Sequence, residues 1–139
     1  MGAEHKEKEK KYTQRIISFQ IGSTNFRMNG QIYSMDIAPY IKDGSVYLPV
    51  RFVALAMGVS EENILWDNSS QKLTIIKGNT VAQLIVGQNT IIINGVSMKT
   101  DVIPETTLNH IMVPARYIIE ALGGTVSWDE DSETVLIKS

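Results

Sequence analysis

The chain of 139 residues contains no cysteine. This removes a disulfide framework, a thiolate metal site and a cysteine nucleophile from consideration, and fits a cytosolic protein as well as a secreted one that does without disulfides. Only two histidines are present, His5 and His110, whereas a metal centre needs three or four converging ligands. No apolar run approaches the length that spans a bilayer, and the start lacks the apolar middle of a signal peptide. Thirteen Lys and Arg against fifteen Asp and Glu give a net charge of −2, with no basic footprint for nucleic acid. No Gly-rich loop follows a strand and opens a helix, and Gly-x-Ser-x-Gly is absent.

What is present is one pattern written twice. Gly22, Asn29-Gly30, Asp36, Pro39, Pro49, Arg51, Ala56 and Gly58 recur as Gly87, Asn94-Gly95, Asp101, Pro104, Pro114, Arg116, Ala121 and Gly123, each 65 positions later. The two tryptophans recur as Trp66-Asp67 and Trp128-Asp129 at a spacing of 62, the first copy carrying a short insert around Ser60–Asn63. A unit of about 60 residues buries too little surface to be secure alone. The expected organisation is therefore a charged, disordered tail at 1–13, a first repeat at 14–78 and a second at 79–139, packed as one compact unit.

Alternation over Ile16–Ile21 predicts a half-buried strand. Asn29-Gly30 and Asn94-Gly95 predict tight hairpins between Thr24–Met28 and Gln31–Met35, and between Thr90–Ile93 and Val96–Thr100. The segments Asp36–Pro39 and Asp101–Pro104 read as irregular connectors, followed by short strands at Val46–Leu48 and Ile111–Val113. Pro49 and Pro114 stand where helices begin, and Gly58 and Gly123 where they end in a left-handed cap. Phe52, Val53, Ala56 and Met57 form one apolar face; Tyr117, Ile118, Ala121 and Leu122 form the other. Strands at Ile64–Trp66 and Lys72–Lys77, then Thr125–Trp128 and Thr134–Lys138, close each copy. The fold class is α+β: two repeats, each a small twisted antiparallel sheet packed on one short helix.

These residues resemble the copper amine oxidase N-terminal domain, also called a stalk domain, over about residues 16–138. The resemblance rests on Leu48-Pro49-Val50-Arg51-Phe52 leading to Ala56-Met57-Gly58, on Val113-Pro114-Ala115-Arg116-Tyr117 leading to Ala121-Leu122-Gly123, and on the two Trp-Asp pairs. It implies a non-catalytic module of Gram-positive extracellular or cell-wall proteins, used as a stalk or interaction domain beside other domains of the same polypeptide. Copper and quinone chemistry belong to a different, larger domain, so no cofactor is implied. The helix position four residues after the Arg is Glu120 in the second copy, within reach of Arg116, and Leu55 in the first.

For the candidate residues, the recurrence favours structure. Asp36, Asp67, Asp101 and Asp129 sit at turn entries, as backbone-capping side chains do, and Arg51 and Arg116 are expected to pair with aspartates. Trp66 and Trp128 are expected in the core or between repeats. His110, standing where the first copy has Ser45, is given a structural or solvent role, and Asp129-Glu130-Asp131 with Glu133 lacks calcium-loop spacing. The asymmetric aromatics Tyr33, Tyr40 and Tyr47, opposite Met98, Glu105 and Met112, mark the candidate ligand face, with Tyr40 expected to be exposed. Partners in view are a cell-wall glycan, another surface protein or a second copy joined at a sheet edge. The alternatives are a carbohydrate-binding module and, less favoured, a hydrolase, which needs two carboxyls facing one cleft.

Overall fold

The computed structural model describes residues 14–139; the charged segment 1–13, expected as a solvated tail, lies outside the described residues. The first copy contributes β1 (Ile16–Gln20), β2 (Asn25–Met28), β3 (Gln31–Ser34), β4 (Tyr40–Lys42), β5 (Ser45–Pro49), α1 (Val50–Ala56), a 3-10 turn at Glu61–Asn63, β6 (Ile64–Asp67) and β7 (Lys72–Lys77). The second contributes β8 (Thr80–Ile85), β9 (Thr90–Ile93), β10 (Val96–Lys99), β11 (Glu105–Thr107), β12 (His110–Pro114), α2 (Ala115–Ala121), β13 (Thr125–Asp129) and β14 (Thr134–Lys138). Antiparallel sheets dominate and the helices are short, which is the expected α+β class.

The short-range signals act as read. Asn29 and Gly30 take φ of 51° and 83°, Asn94 and Gly95 49° and 84°, the two positive values a tight hairpin turn requires. Each asparagine also uses its side chain: Asn29 Oδ1 accepts from the Ile16 amide at 2.9 Å and Asn94 Oδ1 from the Val81 amide at 2.8 Å. Both helices end in the same motif. The Gly58 amide donates to Leu55 O and the Val59 amide to Ala54 O; Gly123 and Gly124 repeat this with Glu120 O and Ile119 O. This pair of bonds satisfies the last carbonyls of each helix. Pro49 and Pro114 stand one residue earlier than expected, in extended backbone just ahead of their helices. There, lacking an N–H, each ends its strand.

The sheets are shared between the copies. One outer sheet runs β13-β14-β1-β2-β3, the other β10-β9-β8-β7-β6, so the closing strands of each copy pair with the opening hairpin of the other. The inner sheet runs β11-β12-β5-β4. Its central register sets Leu48 opposite Val113, Tyr47 opposite Pro114 and Pro49 opposite Met112. Since Leu48 and Val113 are themselves equivalent, a local twofold passes between them. The expectation of one sheet per copy thus gives way to two outer sheets, each drawing on both copies. The physical reason is the Gly78-Asn79 connection, which folds β7 directly onto β8 with Lys77 opposite Thr80.

The same exchange brings the chain ends together. The Arg15 amide donates to Ser139 O at 2.7 Å and the Ser139 amide to Arg15 O at 3.0 Å. By the repeat, this pair is the counterpart of Thr80 and Lys77, without the two-residue turn. The core lies among the three sheets and two helices: Ile17, Phe19, Leu48, Val53, Met57, Ile75, Val113, Ile118, Ile119 and Ile137 are all essentially inaccessible. Burying each such side chain contributes roughly 1.5–3 kcal/mol. The predicted apolar helix faces supply Val53, Ala56, Met57, Ile118 and Leu122 to this core.

Candidate functional site

Two clefts lie where the copies meet, and they occupy equivalent places about the twofold. The larger, about 500 Å³, is formed by the β4–β5 hairpin of the first copy and by α2, β13, β14 and the turn between those strands in the second. Its lining includes Ile41, Ser45, Val46, Asp101, Arg116, Trp128, Glu130 and Glu133. The smaller, about 340 Å³, is formed by the β11–β12 hairpin and by α1, β6 and β7, with Thr106, His110, Ile111, Arg51, Trp66, Asn68 and Gln71 in its wall. Trp128 matches Trp66, Arg116 matches Arg51, Val46 matches Ile111 and Ser45 matches His110. Each cleft thus joins an indole and a guanidinium from one copy to a hairpin from the other.

Between the clefts the charge differs. Where the larger has Glu130 and Glu133, the smaller has Asn68 and Gln71. In the larger cleft the Trp128 indole N–H donates to Glu130 Oε2 at 2.7 Å, and Arg116 meets Glu120 at 3.3 Å on its own helix, the i,i+4 pair read from the sequence. Arg51 instead lies 3.8 Å from Glu61. Neither arginine pairs with an aspartate as expected. The helix itself supplies the partner in the second copy, whereas the first copy, with Leu55 at that position, takes a looser one from its insert. Leu55 is half-buried against the core.

The aspartates hold turns and connectors. Asp67 accepts from the Ser69 amide and from the Ser69 and Ser70 hydroxyls at 2.7–3.0 Å, and these bonds hold its carboxyl below the usual range. Asp129 accepts from the Asp131 amide at 3.2 Å and the Ser132 hydroxyl at 2.8 Å. Asp101 accepts from the Tyr117 hydroxyl, which pushes the phenol's pKa up. Phe52, the counterpart of Tyr117, has no hydroxyl; the partner of Asp36 is His110 Nε2, 3.0 Å away and from the other copy. Each connector aspartate therefore has a side-chain partner from a different element, α2 for Asp101 and β12 for Asp36. Among the described residues no three His, Asp or Glu side chains form a metal-binding group.

The three tyrosines singled out in the sequence line neither cleft. Tyr47 is buried, stacked on Tyr40 with ring centres 5.5 Å apart, and donates to Ile103 O at 2.9 Å. Tyr40, expected to be exposed, is half-buried: it donates to Glu105 and shares a bond of 2.8 Å with the Thr107 hydroxyl. Burial and the bond to Glu105 push its phenol up to about 12. Lys42 meets Glu105 at 2.6 Å, and with Tyr40 it holds the Glu105 carboxyl below the usual range. Tyr33 is partly exposed on an edge strand and stacked on Phe26 at 5.3 Å. Trp128 and Trp66, expected in the core or between repeats, both lie on edge strands, β13 and β6. Trp128 packs half-buried against the core, while Trp66 lines its cleft between the copies and is 38% exposed.

The clefts themselves were not read from the sequence. Their signal was the pair of tryptophans, each followed within five residues by either Glu130 and Glu133 or Asn68 and Gln71. The sequence matches the copper amine oxidase N-terminal domain family over residues 3–62 and 27–137. The chain belongs to that family, whose domain is a non-catalytic, stalk-like part of the enzyme that gives it its name. No curated protein and no solved structure matches the chain.

Proposed function

We propose that this chain is a non-catalytic interaction module of a larger bacterial surface or secreted protein, acting outside the cell at or near the cell wall. The observation that carries this reading is the pairing of Arg15 with Ser139. A spacer adds reach when the chain enters at one end and leaves at the other. Here Arg15 and Ser139 pair at the same end of the adjacent strands β1 and β14, so tension applied across these two residues would peel β1 from β14 pair by pair. A unit attached in this way holds its surfaces out to a partner, and the two clefts supply such surfaces. No helix among the described residues is long and apolar enough to cross a membrane.

A carbohydrate-binding role is the second reading, favoured by the half-exposed Trp66 in its cleft, since an indole face is a platform on which a sugar ring can lie. The hydrolase reading has one point in its favour: Asp101, Glu130 and Glu133 do face one cleft. All three are exposed, whereas an acid catalyst needs a carboxyl kept protonated by burial or a close like charge. Asp101 and Glu130 are also engaged by Tyr117 and Trp128.

Sedimentation with purified Gram-positive cell walls tests the proposal. The chain is expected in the pellet, and release by soluble wall glycan would select the carbohydrate reading. A chain that stays in the supernatant contradicts wall association.

A further inference from the structure

The larger cleft combines a volume of about 500 Å³, within the roughly 300–1,000 Å³ of small-ligand sites, with two kinds of wall. Aliphatic groups from both copies form one part, Ile41 and Val46 from the hairpin and Val102 and Val126 from the second copy. The other part carries an indole and three carboxylates, opposed by one guanidinium that is already paired with Glu120. An aliphatic wall accepts a methylene stem, while carboxylates beside an indole attract an ammonium head through charge and through the ring face.

The smaller cleft is a built-in comparison. It retains the indole, the arginine and one aliphatic hairpin residue, Ile111, beside Thr106 and His110, yet has amides where the larger has Glu130 and Glu133, and no carboxylate in its lining. The repeat scaffold thus accepts amides at these positions, so the glutamates are not required by the fold. We propose that the larger cleft binds a primary ammonium on an alkyl stem, a lysine side chain presented by a basic peptide segment of a partner protein, and that Glu130 and Glu133 set this preference. This deepens the interaction-module reading and rests on it.

The two tryptophans make the proposal testable in the intact chain, because each cleft contains one of them. Two-dimensional nitrogen–proton spectra resolve their indole signals and report the clefts separately. Titration with an N-acetylated, C-amidated trilysine peptide should move the Trp128 signal saturably while the Trp66 signal stays in place. The same peptide with norleucine for lysine should move neither. Glu130→Asn with Glu133→Gln installs the smaller cleft's amides, and should weaken trilysine binding at least about tenfold with the thermal transition retained.

The proposal is overturned if Trp128 does not respond, if both indoles respond alike, or if the double variant binds as the parent does. It is also overturned if glucosamine oligomers move Trp128 and trilysine does not, which would assign the cleft to an amino sugar. Retention on cell walls together with a silent Trp128 would remove this occupant and leave the interaction module standing. Loss of wall retention with an intact Trp128 response would do the reverse.

Discussion

Tyr40 and Glu105 are the same position in the two copies, and they are hydrogen-bonded to each other across the local twofold. In a dimer of identical units this position would meet itself, as tyrosine against tyrosine or glutamate against glutamate. Because the copies are fused in one chain, the two sides could diverge into a donor and an acceptor, with Lys42 completing the group at 2.6 Å.

The Tyr40–Glu105 contact gives stability a defined pH window. The folded Tyr40 phenol lies at about 12, above the unfolded value near 10, so its contribution is whole below about pH 10 and is lost as pH rises toward 12. Glu105 is shifted down, principally by Lys42 and then Tyr40. Its contribution is present above the unfolded value near 4.3 and is lost as pH falls through that value and below. Urea unfolding of the parent and Tyr40→Phe should therefore show a stability difference of about 0.5–1.5 kcal/mol at neutral pH that shrinks at both extremes. A difference independent of pH would count against the contact.

The Asp36 and Asp101 connectors are held by exchangeable solutions. His110→Ser removes the imidazole 3.0 Å from Asp36, and a loss of about 0.5–1.5 kcal/mol is expected. Adding Phe52→Tyr recreates the arrangement of Tyr117 with Asp101, so the double variant should recover most of that loss. A double-mutant cycle on thermal or urea unfolding measures the coupling; strictly additive effects would argue against it.

Gly124 is a packing position. A Cβ there would lie 2.8 Å from Met57 Cε, 3.1 Å from Ile119 Cγ2 and 3.2 Å from Lys138 O. Met57 can shift but the Lys138 carbonyl belongs to a sheet ladder, so Gly124→Ala should destabilise by about 1–3 kcal/mol. Denaturant unfolding should show this as a lower midpoint with an unchanged m-value; a midpoint equal to the parent's would argue against tight packing at Gly124.

The chain should tolerate new ends. Joining Ser139 to Arg15 through Gly-Asn copies the Gly78-Asn79 connection, and reopening the chain between Gly78 and Asn79 then moves the break to the other outer sheet. Circular dichroism and the two indole signals should match those of the parent. A permutant without the parent's cooperative transition would show that the outer sheets are not equivalent.

The sequence conveyed the parts of this fold that depend on local chemistry. Asn29-Gly30, Asn94-Gly95, Gly58 and Gly123 act through backbone angles that few other residues adopt, so their roles were legible. Strands β4 and β11 were not, because three residues after a proline have no readable period and are held in place by pairing with β5 and β12. The exchange of closing strands was signalled only by Gly78-Asn79, a two-residue hairpin connection at the very boundary between the repeats. Tyr40 misled for a physical reason. A Tyr-to-Glu change between copies suggests solvent when each residue is considered alone, but here the two residues are each other's surroundings. The clefts stayed hidden because each takes its walls from both copies.

Separating the copies tests the shared architecture, on which both clefts depend, most directly. Residues 14–78 and 79–139 can be made as separate chains, and their heteronuclear NMR spectra recorded alone and mixed at equal concentration. Neither half should fold as a monomer, since each would lack the partner strands for its opening hairpin and its closing pair; the mixture should recover the spectrum of the intact chain with both indole signals. A half that gives a dispersed monomeric spectrum by itself, unchanged on mixing, would contradict the account.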